Sequence, residues 1–129
     1  MGRIKWIENR KGDRVVSRRR KEPEAKFRRS TLFFNISASA LMDEIKKGDY
    51  VDIGLDQEEA RLYIRPHRKR RGETEPKDAF RLSQHRGGSY IISCARVRSI
   101  LLEKYGEAVL KRSFPVSREG DRLVLALAG

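Results

Sequence analysis

Cysteine, histidine, asparagine and glutamine are all scarce in this chain, and each shortage removes a class of function. Its one cysteine excludes an internal disulfide, and its two histidines, far apart in sequence, leave no ligand set for a zinc site. Asn9, Asn35, Gln57 and Gln84 are the only side-chain amides, and in an Arg-rich chain that leans toward a heat-stable protein. No apolar run approaches the length of a membrane span, and none follows the basic residues at the start, so neither a span nor a secretory signal is expected. A cytoplasmic location is the default. Nothing supplies an activated nucleophile, a phosphate-cradling glycine loop or a paired acid and base, so a binder is expected and not an enzyme. No cofactor is implied.

What the chain has is positive charge. Thirty Lys and Arg stand against 18 Asp and Glu, a formal net charge of +12, which favours polyanionic partners. The excess is unevenly placed: +8 over residues 1 to 30, −4 over 31 to 64, +4 over 65 to 77 and +4 over 78 to 129. At 129 residues, one domain with a single core is expected.

Two stretches read alike. Leu32 to Ile36 runs as a strand into Ser37, then a helix over 38–47 with Ala38, Leu41, Met42 and Ile45 on one face. Ser37 is the expected cap and Gly48 the stop. Val51, Ile53 and Leu55, then Leu62 and Ile64, alternate with polar residues as a hairpin closed by Pro66. Between Tyr90 and Leu127 the order returns: Tyr90-Ile91-Ile92, Ser93, a helix from Cys94 to Tyr105, Gly106, a strand over 109–114 and another over 123–127. Ile36-Ser37-Ala38 is matched with Ile92-Ser93-Cys94, Gly48 with Gly106, and Arg61-Leu62 with Arg122-Leu123. The expected fold is therefore α+β: two strand-helix-hairpin repeats packed as an internal pseudo-dimer around one mostly antiparallel sheet or small barrel. Single units interlocking between two chains would bury the same faces, which leaves a homodimer open.

The organisation follows. Residues 1–30 form a basic N-terminal arm, in which Ile4-Lys5-Trp6-Ile7 and Arg14-Val15-Val16 flank a turn-favouring Asn9 to Asp13. Residues 31–66 are the first unit, 67–77 a basic linker and 78–129 the second unit. Arg18 to Ser30, with seven basic side chains, reads as an exposed connection unable to build core. Phosphate contacts are expected first from Arg18, Arg19, Arg20, Lys21, Lys26, Arg28 and Arg29, then from Arg65, Arg68, Lys69, Arg70 and Arg71. Trp6, Phe27 and Tyr63 are candidate base-stacking aromatics. Cys94, on the apolar stripe, reads as a small buried filler. DNA or RNA is the expected partner, for a regulator or an architectural protein. The alternative is a protein–protein module, antitoxin-like or a phage-encoded adaptor, without nucleic-acid contact.

Each unit resembles the AbrB-like swapped-hairpin family. The likeness is carried by Ile36-Ser37, by Glu44-Ile45-Lys46-Lys47-Gly48-Asp49-Tyr50-Val51 and by Arg61-Leu62-Tyr63-Ile64-Arg65-Pro66, and in the second half by Ile92-Ser93 and Gly120-Asp121-Arg122-Leu123-Val124-Leu125. Use of the unit twice in one chain is similar to the MraZ arrangement. Residues 30 to 127 also resemble a group of small bacterial and archaeal proteins built on two such repeats. The AbrB-like resemblance implies DNA binding by basic side chains near the sheet and its loops.

Overall fold

The computed structural model describes residues 22–68, 79–85 and 87–127. In chain order the elements are β1 (Glu24–Arg28), β2 (Thr31–Phe34), α1 (Ile36–Ile45), β3 (Tyr50–Asp56), β4 (Arg61–Pro66), β5 (Phe80–Gln84), β6 (Tyr90–Ser93), α2 (Ala95–Tyr105), α3 (Glu107–Leu110), β7 (Ser113–Glu119) and β8 (Arg122–Ala126). The strands close into an antiparallel barrel in the order β1-β2-β6-β5-β3-β4-β8-β7. Closure pairs every strand on both sides, so no long open edge is left among them. The fold is α+β with few helices, as the two periodicities imply. No helix among the described residues is long and apolar enough to cross a membrane.

Period-two alternation builds the interior. Ala25 and Phe27, Leu32 and Phe34, Leu62 and Ile64, and Leu123 and Leu125 point inward as pairs; between them Lys26, Phe33 and Tyr63 face outward, and Val124 is buried as well. Phe27 and Phe114 meet edge to face with ring centroids 6.3 Å apart and join β1 to β7. One seam is short: β3 meets β5 only at Tyr50↔Arg81 and Val51↔Phe80.

The helices close the ends. β2 and β6 are antiparallel neighbours, so α1 and α2, which follow them directly, start at opposite ends of the barrel. α1 buries Ala38, Ser39, Met42 and Ile45, close to the stripe its spacing predicts. Ser39 Oγ accepts a hydrogen bond from the Tyr90 backbone N–H at 2.9 Å, and the Tyr90 hydroxyl donates to Asp43 Oδ1. The helix is thereby fixed to the first residue of β6.

Several local expectations need correcting. The cap of α1 is Asn35 and not Ser37: Asn35 Oδ1 accepts from the N–H of Ala38 at 2.9 Å and of Glu24 at 3.1 Å, and its Nδ2 donates to the Glu22 carbonyl at 2.9 Å. One amide thus caps a helix and holds the start of β1, its oxygen serving Ala38 and Glu24 while its nitrogen reaches Glu22. α1 stops at Ile45, with Gly48 in a positive φ beyond it. Ile36-Ser37 opens the helix whereas Ile92-Ser93 closes a strand, so that pairing of the two halves is out of phase. The tract 109–114 is not a single strand, because Glu107–Leu110 turns once as α3 to bury Leu110 before β7 begins. The connection expected over Arg18 to Ser30 contains β1, whose Ala25 and Phe27 alternate into the core between Glu24, Lys26 and Arg28. The hairpin expected within Met1 to Ser17 lies outside the described residues.

Candidate nucleic-acid interface

Charge is distributed differently on two sides of the barrel. On the side of β1, β2, β6 and β5, the strand registers place Lys26 opposite Phe33, Phe33 opposite Ile91 and Ile91 opposite Ser83, one row across four strands. In the next row Arg28 faces Thr31, and Thr31 faces Ser93. Arg29 occupies the β1–β2 turn with φ +58°, in the left-handed region. The Arg28 guanidinium lies 5.0 Å from the Phe33 ring centroid, and the His85 ring 6.1 Å from it. Phe33 and Ile91 are half-buried, so their outer surfaces meet solvent inside a basic rim. Among the described residues, no carboxylate lies within ion-pair distance of Lys26, Arg28, Arg29 or the exposed Arg81 of β5.

On the side of β4 and β8 the arginines are engaged by the protein's own acids. Asp52 accepts from Arg65 Nε at 3.3 Å through one oxygen and contacts His67 Nδ1 at 2.8 Å through the other. Arg61 lies 3.6 Å from Glu59 and 3.8 Å from Glu119, and Arg122 lies 3.0 Å from Glu119. Arg61 and Arg122, matched in sequence, therefore share one carboxylate. Arg122 also stacks 4.4 Å above the Tyr63 ring, and Arg118 is 2.6 Å from Glu44. Asp52, Arg65, His67, Arg68, Asp121 and Arg122 line a recess of about 480 Å³ in which both signs of charge alternate.

The residues expected to touch phosphate thus divide. Lys26, Arg28 and Arg29 come together at one corner of the barrel without acidic partners among the described residues. Arg65 is tied to Asp52, and Arg68 lies in the recess beside two carboxylates. Arg18, Arg19, Arg20, Lys21, Lys69, Arg70 and Arg71 lie outside the described residues. Of the aromatics, Phe27 is core and Tyr63 has Arg122 over one face and sits on the side whose arginines are held by Glu59 and Glu119; Trp6 lies outside the described residues. Phe33 takes their place. Its signal was present in Leu32-Phe33-Phe34, since two inward neighbours force the middle residue outward.

The acidic corner is used internally. Asp56 Oδ1 accepts from the N–H groups of Glu58 and Glu59, both at 3.1 Å, and so closes the β3–β4 turn. Cys94 is buried with its Sγ 3.5 Å from the Ile92 carbonyl, and burial pushes its thiol up to about 12. Burial, together with the bond to Asp43, also pushes the Tyr90 hydroxyl up to about 12. A folded-state pKa above the unfolded one favours the protonated form, so this stability is complete below the unfolded pKa and is lost as pH rises toward the folded one. Denaturation midpoints should therefore fall above pH of about 9, where an unfolded thiol ionises, and again above about 10 for tyrosine. In Cys94→Ala the first decline should disappear and the second remain, as read by urea unfolding across alkaline pH.

Comparison with protein-family models, with curated proteins and with solved structures gives no match to this chain.

Proposed function

We propose that the protein binds nucleic acid, as a DNA-binding regulator or an architectural protein, through basic side chains that contact phosphates. The carrying observation is the corner formed by Lys26, Arg28 and Arg29, three cations without an acidic partner among the described residues, in a chain of net charge +12. An unpaired surface cation that neutralises a phosphate releases a counterion condensed on the nucleic acid, whereas one already held by a carboxylate contributes little. By that criterion β1 and its turn are the anchor, and Arg65 is secondary.

The scaffold in this reading is an internal pseudo-dimer of AbrB-like units. Strand order supports it: exchanging β1–β4 for β5–β8 in the ring regenerates the same ring read in the opposite sense, as a two-fold axis across the barrel requires. The helices also follow equivalent strands, β2 and β6, at opposite ends. The test of function is a salt series on a random-sequence oligonucleotide. A linear fall of log K with log salt supports the reading, and no binding at about 50 mM salt ends it.

A further inference from the structure

We infer that the outer face of β1, β2, β6 and β5 is a stacking platform for single-stranded nucleic acid, with the ring of Phe33 receiving a base; the inference rests on the nucleic-acid reading above and narrows it. Four strands about 4.8 Å apart make a shallow surface roughly 14 Å wide. Its centre is apolar, with Phe33 cross-strand from Ile91, and its margin is cationic, with Lys26, Arg28 and Arg29 at one edge and Arg81 on the other edge strand. Glu24, at the far end of β1, is the one carboxylate on that strand's outward side.

This pairing of an exposed ring with a basic margin selects the state of the nucleic acid. A duplex keeps its base faces covered and offers phosphates and groove edges, which are read by helices or ribbons that protrude into the grooves. The described residues of this face are the four strands and their turns, and Phe33 would gain nothing from a phosphate backbone. A single strand presents base faces as well as phosphates, so ring and cations are both used. The Arg28 guanidinium lies over the Phe33 ring at 5.0 Å and so places a positive charge beside the ring for the adjoining phosphate. His85, just past the end of β5, lies 6.1 Å from the ring and bounds the platform. The opposite side has an aromatic too, but Tyr63 is covered by Arg122 and framed by acids.

The experiment measures binding of the full chain to a 15-nucleotide oligothymidylate, its RNA counterpart and a 15-base-pair duplex by fluorescence anisotropy at fixed salt. Phe33→Leu keeps the apolar contacts with Ile91 while removing the π face. It should weaken both single strands by roughly 5- to 100-fold and leave the duplex within about two-fold. Phe33→Trp should retain single-strand affinity, and Tyr63→Leu on the opposite side should leave it unchanged, each with an unaltered melting temperature. Equal loss on duplex and single strand, or no loss on either, overturns the platform while the nucleic-acid reading stands. Failure of the unmutated chain to bind any of the three at about 50 mM salt overturns both.

Discussion

Phe114→Ala is expected to destabilise the protein by about 3–5 kcal/mol, a large part of the roughly 5–15 kcal/mol that holds a domain of this size. Phe114 is fully buried on β7, the strand that closes the ring between β8 and β1. Its ring packs edge to face on Phe27, and its backbone register places it opposite Ala25. Alanine there leaves a void under two strands at once, and Ala25 across the seam is too small to fill it. The neighbours are also fixed by the closed ring of ladders, so collapse into the space is limited. A urea midpoint that falls with little change in slope is the expected result. A loss below about 1 kcal/mol would mean that β1 does not complete the barrel.

The second large effect is on binding. Converting Lys26, Arg28 and Arg29 together to glutamine should make the salt dependence shallower by about two to three, since each phosphate contact contributes roughly 0.7 to 0.9 to the slope of log K against log salt. The matched control is Arg61, Arg118 and Arg122 converted to glutamine. It removes the same charge, but those cations lie near Glu59, Glu119 and Glu44. Net charge alone predicts the same change for both variants. Local pairing predicts a large change for the first and a small one for the second. Circular dichroism and melting temperature should be close to the parent for the first triple, whose side chains are exposed and make no ion pair among the described residues.

Much of the barrel was legible in the sequence, for reasons that can be named. β3 and β4 alternate aliphatic residues with others without interruption, and α1 shows its stripe through Ala38, Met42 and Ile45, whereas in β8 Val124 is buried between Leu123 and Leu125. β1 was hidden: its inward residues are one alanine and one phenylalanine inside a dense basic tract, and charge masked a two-residue period. The closing pairs β1 with β7 and β3 with β5 join residues far apart in sequence, and no local pattern encodes them. α3 is a single turn that follows Gly106, too short to carry a periodicity. The cap at Asn35 was missed because the hydroxyl at Ser37 also fits the rule for caps; what decides is a second donor, the Glu24 N–H, supplied by another strand.

The candidate site was legible in part. Charge alone identified Lys26, Arg28 and Arg29, but not that a strand holds them beside an exposed ring. Arg65 carried a readable warning. Asp52 and Arg65 are cross-strand partners in a hairpin whose turn fixes their register, so the ion pair follows from counting back from Asp56 and Arg61. The same counting pairs Gly54 with Tyr63, where the missing side chain leaves room above the ring on the β3 side.

The central claim is that one side of the barrel meets nucleic acid while the other is occupied with its own ion pairs. Amide chemical-shift mapping during titration with a single-stranded oligonucleotide tests it most directly. The account predicts that the largest shifts fall on Lys26 to Phe33 and on Ser83, Ile91 and Ser93, with Arg61 to Arg65 and Ser117 to Val124 little changed. Shifts concentrated on β4 and β8, with β1 and β2 silent, would contradict it.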